Sequence, residues 1–403
     1  MSDLDAFRAE ARGWLEANAP AEIRGLEIDP ETGGNWGGRR PRWDHPEMKT
    51  WLERAAARGF TAPTWPREHG GGGLAPDEAK VLAEEMRRLR LPPPLTGFGL
   101  SMIGPTLLRF GSEEQRRWHL PRICRGEIRW CQGYSEPDAG SDLASLQTRA
   151  LRDGDCFVVT GTKVWTSYGD LSDWIFALVR TNPQAKKQAG ITFLLIDMET
   201  PGVSVRPIRL ISGKSPFCET RFEGVRVPVA NVVGEIDGGW TVAKALLGHE
   251  RSMIADLFGA GTSRRARKPG SALANLAREY GGGEHGTPLP QPLLRDEIAR
   301  LEMDERALAL TSQRARDAAR AGHQPGAETS IFKVAATELN QRRTELAVRV
   351  AGAQGLGWEG AGYSEEDLVR TRQWLRARGN SIEGGTSEVQ LDIIAKRVLG
   401  LPD

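Results

Sequence analysis

Residues 130–143 read Trp130-Cys131-Gln132-Gly133-Tyr134-Ser135-Glu136-Pro137-Asp138-Ala139-Gly140-Ser141-Asp142-Leu143. The stretch is dense in small and hydroxyl side chains, and it sits where the hydrophobic period of the chain changes. Before it, apolar residues recur at helical spacing. After it, they come in short β-branched and aromatic runs. A loop at such a switch presents backbone N–H groups and serine hydroxyls to a ligand, although a plain structured turn uses the same residues. The switch divides the chain into a helical part, 1–128, and a β part, 129–235. Helical periodicity returns over 236–403.

In the first part, Asp3 is placed to cap a helix carrying Leu4, Phe7, Ala11, Trp14 and Leu15. A turn-rich stretch, 32–46, precedes a helix through 51–57. Another helix begins near Pro76-Asp77 and includes Val81, Leu82 and Met86. The glycine run 70–73 lacks a following Lys-Ser/Thr and reads as a turn, not a phosphate loop. In the β part, 157–159, 174–179, 191–196 and 203–205 read as strands separated by turns such as Asp153-Gly154-Asp155 and Pro201-Gly202, which suggests a small barrel or sandwich. In the last part, 240–259, 291–321, 327–352 and 387–399 read as long amphipathic helices, which suggests an antiparallel bundle. The fold class is α+β, ordered α, then β, then α.

Composition narrows the function. Lys+Arg total 54 and Asp+Glu 53, for a net charge of +1, so nothing points to nucleic acid. A chain of 403 residues buries a sizeable core without disulfides or a structural metal. Cys124, Cys131, Cys156 and Cys218 have no metal or redox spacing, and the histidines are scattered, so no metal site is expected. No apolar run reaches ~18 residues, so no membrane span is expected. The first twenty residues lack the regions of a signal peptide, and a cytoplasmic location follows as the expectation.

Three further segments carry chemistry. In Lys163-Val164-Trp165-Thr166-Ser167, an aromatic beside hydroxyls on a strand suits a planar ring, although Trp165 also reads as core. In the helix after Gly238-Gly239-Trp240, residues Leu246, Glu250, Met253 and Leu257 share one stripe, with Leu247, Arg251, Ile254 and Phe258 on the next. A carboxylate in an apolar stripe has its pKa raised by burial and becomes a stronger base once ionised; the alternative is a structural Glu–Arg pair. In Ser381-Ile382-Glu383-Gly384-Gly385-Thr386-Ser387-Glu388, two glycines permit close backbone approach, and Thr386 or Ser387 caps the last helix.

Taken together, and with Ala62-Pro63-Thr64-Trp65-Pro66, Phe110-Gly111-Ser112-Glu113-Glu114-Gln115 and Val227-Pro228, these segments resemble the acyl-CoA dehydrogenase family over essentially the whole chain. The resemblance implies an N-terminal helical domain, a middle β-domain and a C-terminal four-helix bundle, with FAD between the last two. It implies that Gln132, Tyr134, Ser135, Ser141, Trp165, Ser167, Thr386 and Glu388 contact the cofactor. Ser135 would lie toward the ring, Ser141 toward the CoA side, Trp165 beside the isoalloxazine and Ser167 near N5. It also implies an acyl-CoA substrate, an electron-transferring flavoprotein as electron acceptor and a homo- or hetero-oligomer, dimer or tetramer. The reaction removes the proton α to the thioester and transfers a hydride from the β carbon to the flavin, so it needs a desolvated base and donors to the thioester oxygen.

Many members carry the base in the C-terminal turn, where this chain has Gly384. Others place it on the bundle helix, in a pair that matches Glu250-Arg251. Glu250 is therefore the expected base in preference to Glu383, which is one residue out of register. The Gly384 N–H is the expected donor to the thioester oxygen, and Ser141, Arg251 and Gly384 are the expected substrate contacts. Glycine at 384 widens the pocket and favours a branched, aromatic or polycyclic acyl group. The family's Arg-x-x-Phe-Gly stretch falls here on Gly282, His285 and Gly286, and its Gln-x-x-Gly-Gly stretch on Arg349, Gly352 and Ala353. Those departures motivate a heteromeric partner that completes the FAD site. Arg278 or the basic residues Arg264, Arg265, Arg267 and Lys268 are the alternative compensation. A flavin monooxygenase or oxidase on the same fold is the other enzymatic reading.

Overall fold

A computed structural model describes residues 3–28, 35–246, 272–282, 289–322, 326–327 and 329–402. The chain forms two compact units, one of residues 1–208 and 215–247, the other of 209–214 and 248–403.

In the first unit, helices α1 (Asp3–Asn18), α2 (Glu47–Ala57) and α3 (Pro76–Arg88) enclose Leu15, Ile23, Met48, Trp51, Phe60 and Leu82. Asp3 falls inside the first turn of α1, where with Asp5 it complements the positive helix end. A buried carboxylate fixes α1 to α3. Glu85 accepts from Arg8 at 3.0 Å, from Arg12 at 2.9 and 3.0 Å and from Arg88 at 2.7 Å. A π-turn, Gly99–Ile103, leads into α4 (Gly104–Phe110). Gly104 is required there, because a Cβ would lie 1.9 Å from the Trp65 ring. Helix α5 (Glu113–Cys124) opens with a Ser112/Gln115 capping box. The Gln115 amide also donates to Ala230 O at 2.7 Å and Val232 O at 2.8 Å, tying α5 to the end of the β region.

The β region is one seven-stranded sheet: β1 (Trp130–Gly133), β2 (Arg149–Asp153), β3 (Cys156–Ser167), β4 (Trp174–Arg180), β5 (Ile191–Asp197), β6 (Val203–Ile208) and β7 (Phe217–Pro228). The order is β1-β4-β2-β3-β7-β6, with β5 antiparallel to β4. Every residue of β4 is buried. Trp174, Phe176 and Leu178 enter a core shared with α4 and α5, while Ile175, Ala177 and Val179 enter a second core with Phe157, Val159, Phe222, Val225 and Val227. Burial on both faces explains why β4 and β5 read as nearly continuous apolar runs, with Thr192 the one polar residue among 191–196. Each large side chain so buried is worth about 1.5–3 kcal/mol.

A helix, α6, covers 239–246 in its described part. In the second unit, α9 (Thr329–Ala351) packs against α7 (Ala272–Gly281), α8 (Pro292–Arg320), α10 (Glu365–Ala377) and α11 (Ser387–Ile393). Their core contains Leu273, Ala277, Ile298, Leu301, Leu339 and Leu346. The expected helix over 387–399 is not one α-helix. It is α-helical to Ile393 and then widens into a π-turn, Ile394–Val398, in which Leu399 N bonds Ile394 O at 3.0 Å. Among the described residues, no helix is long and apolar enough to cross a membrane.

Candidate active site

The first unit brings β3 and the loop after β1 together. The Ser135 carbonyl accepts from Val164 N at 2.9 Å. On either side of Ser135, the Tyr134 carbonyl and the Glu136 carboxylate both accept from Lys163 Nζ, at 3.0 and 2.7 Å. Glu136 also accepts from Gln147 N at 2.6 Å and Thr148 N at 2.9 Å. Burial pushes the Lys163 ammonium down to about 8 against the pull of Glu136. Burial acts to raise the Glu136 carboxyl, but Lys163 and the N–H donors outweigh it and hold it below the usual carboxylate range. At neutral pH both are charged.

Beyond Lys163, β3 bulges against β7, with a register shift between Lys163 and Thr166. Trp165 takes a left-handed φ of 62° there and is 54% exposed, with its edge toward Phe217 at 6.1 Å. A bulge re-aims a side chain that strand alternation would otherwise direct. Trp165 is thus not core, and an indole held out from the sheet beside half-buried Ser167 and Ser135 fits a planar ring such as the flavin's. Gln132 is half-buried on β1. The Tyr134 ring lies in the core, edge-on to Phe176 and Phe193.

Ser141 lies on an exposed turn. Next to it, Asp142 pairs with Lys187 at 2.6 Å. The segment that follows is held by Arg180 on β4, whose guanidinium donates to Ala144 O at 2.6 Å, Leu146 O at 3.3 Å and Lys187 O. Lys163 and Arg180 organise these segments of the first unit, and the sequence reading gave neither a role. The signal was available: each is a cation at an inward position of a strand.

In the second unit, Glu383 and Gly384 lie on the turn that leads to α11, Thr386 is its N-cap and Glu388 stands in its first turn. Glu383 accepts from Arg376 at 2.7 and 3.3 Å and from the Asn380 amide. Gly384 and Gly385 have φ values of 67° and 87°, a region that favours glycine. Thr386 caps α11, its hydroxyl accepting from Val389 N at 3.2 Å. Glu388 is exposed, and its own backbone N–H, with the Thr386 hydroxyl, holds its carboxyl below the usual range. Lys333 on α9 is buried. Burial lowers its pKa against the pull of Glu383 and Glu388. Arg349 pairs with Glu297 on α8 at 3.0 Å. Leu246, first member of the stripe that includes Glu250, is fully buried. Glu250, Arg251, Met253 and Leu257, the basic residues 264–268, and His285 and Gly286 lie outside the described residues.

Comparison with known proteins agrees with this layout. The acyl-CoA dehydrogenase N-terminal, middle and C-terminal domains match residues 36–127, 131–225 and 237–399. Acyl-CoA dehydrogenase IpdE1 of Mycobacterium tuberculosis is 37% identical over 402 residues, covering 100% of this chain and 99% of that protein. A solved structure described as the Tcur3481-Tcur3483 steroid ACAD is 32% identical with a TM-score of 0.74, covering 99% of this chain and 97% of the other. The ChsE4-ChsE5 complex from Mycobacterium tuberculosis is 30% identical with a TM-score of 0.72, covering 100% and 98%. A helical region, a β middle and a helical bundle, carrying these motifs in this order, therefore make the chain a member of the acyl-CoA dehydrogenase family, whose enzymes are FAD-dependent flavoproteins.

Proposed function

We propose that this dehydrogenase introduces the α,β double bond into an acyl-CoA whose acyl group is bulky (branched, aromatic or polycyclic), and that its electrons leave to an electron-transferring flavoprotein. Glu250 takes the α-proton, and Arg251 and Ser141 contact the substrate. The Gly384 N–H donates to the thioester oxygen, where charge develops. FAD, when bound, supplies the hydride acceptor. Gln132, Tyr134, Ser135, Ser141, Trp165, Ser167, Thr386 and Glu388 hold it.

One observation carries the assignment of the base. The C-terminal turn offers no free carboxylate: position 384 is glycine, and Glu383 is engaged by Arg376 and Asn380. A carboxylate already bonded to a guanidinium and an amide is not free to be held against an α-proton. Leu246, which shares the apolar stripe of the sequence with Glu250, is buried, and this supports the reading. The absent side chain at 384 supports a wide pocket, and the similar structure described as a steroid ACAD supports its polycyclic form. Replacing Glu250→Gln is expected to lower kcat by at least a hundredfold while the flavin stays bound. Substantial residual turnover would refute the assignment. A panel of acyl-CoAs, read by bleaching of the flavin, identifies the acyl group. Fast reoxidation in air after anaerobic reduction, with product present, would favour the oxidase reading instead.

A second reading is favoured by Arg349, which stands in the family's Gln-x-x-Gly-Gly stretch and is committed to Glu297. We propose that the chain assembles with a different subunit that completes the adenosine side of the FAD site. Purified alone it should then carry well under one FAD per chain. Near-stoichiometric FAD would exclude this dependence.

A further inference from the structure

Lys163 is fully buried in the sheet, and no step of the reaction uses it. A buried ion pair is a poor device for stability, because desolvation offsets most of the attraction, and apolar residues of the same size often do as well. It is a good device for fixing geometry, because each bond has a set length and direction. The contacts here have that character. One ammonium holds the carbonyl before Ser135 and the carboxylate after it. That carboxylate is in turn fixed by the backbone N–H groups of Gln147 and Thr148. The Glu136 and Ala139 backbones bond each other at 3.0 and 3.1 Å, closing the loop into a compact turn. The same lysine is the last residue of β3 in regular pairing before the bulge that turns Trp165 outward. Ser135 and Trp165 come from separate segments, and Lys163 joins the two.

We propose that Lys163, through its bond to Glu136, is a positioning residue for the flavin ring: it sets the spacing between the Ser135 loop and the Trp165–Ser167 bulge. This rests on the reading that those two segments face the ring. The pair therefore acts on the cofactor's grip and environment, and only indirectly on proton removal by Glu250.

The test uses the holoenzyme. Removing one charge alone leaves the other buried and unpaired and risks unfolding, so the main variant is Lys163→Met/Glu136→Gln. The second is Glu136→Gln alone, which keeps an oxygen for the backbone donors. Three quantities are read: melting temperature, the rate of FAD release, and the visible circular dichroism of the bound flavin. The expected result is at least a tenfold faster FAD release and an altered flavin spectrum in the double variant, with a smaller change of the same sign in Glu136→Gln. The melting temperature of the FAD-free protein should move little. Wild-type release and spectrum in either folded variant would overturn the proposal. So would a loss of melting temperature with an unchanged flavin spectrum, which is what a merely structural pair gives. Trp165→Leu separates this from failure of the underlying reading. If Trp165→Leu alters the flavin spectrum while the pair variants do not, only the role of Lys163 is wrong. If none of the variants alters it, the segments do not face the flavin.

Discussion

Gly384 holds a left-handed backbone, φ 67°, on the turn before α11. A Cβ in that region costs about 1–2 kcal/mol. Gly384→Ala is therefore expected to lower the melting temperature, and its added bulk should reduce kcat/KM for bulky acyl-CoAs more than for short straight ones. Steady-state kinetics on both substrate types checks the second effect. At this scale the chemistry of the turn was legible, because its glycines, hydroxyls and carboxylates are set by residue type. The conformation of Trp165 was not. Its outward aim depends on a bulge that exists only in the pairing of β3 with β7, and no local pattern in residues 163–167 encodes that register shift. The Glu383 contacts were illegible for the same reason: Arg376 reaches it from the end of α10, a helix the apolar periodicity did not mark.

Elements were read where one face or both were apolar. The strands β4 and β5, and the helices α8 and α9, lay where hydrophobic runs placed them. Strand β7 alternates buried Cys218, Thr220 and Phe222 with charged residues, a weaker signal that broke up on Glu223-Gly224. Strand β1 is four residues long and was absorbed into the loop that follows it. Helix α10 depends on its capping box, Ser364 with Asp367, and on few apolar residues. Capping also yields a measurable expectation. Gln115 satisfies the start of α5 and two carbonyls at 230 and 232 at once. Gln115→Ala removes three part-buried hydrogen bonds and should cost about 0.5–1.5 kcal/mol for each. Chemical denaturation should show the loss as a lower midpoint, with catalysis intact under folded conditions.

Across the whole molecule, acid should loosen both units. Glu85 in the first is held at about 2 by its arginines, Arg12 foremost, below an ordinary 4.5. Asp367 in the second is held at about 2 by Tyr280, Ser364 and Arg370, below an ordinary 3.8. Each contributes stability that is complete above the ordinary value and lost as pH falls through the folded one. Burial lowers His119 to about 3 from 6.5, and because the unfolded chain binds that proton first, its effect has the same sign, starting nearer neutrality. These three groups are thus expected to withdraw stability between about pH 6.5 and 2, and Glu85→Gln with Asp367→Asn should flatten the lower part of that curve in thermal melts. The α, β, α order of the chain was legible at this scale, because period changes persist over tens of residues. Strand β4, whose alternate side chains serve two separate cores, carries a last consequence for anyone wishing to transplant the sheet. Cut free of its helices, the excised β-domain would turn Trp174, Phe176 and Leu178 toward water as a sticky slab. A working chimera must inherit the helical half along with it.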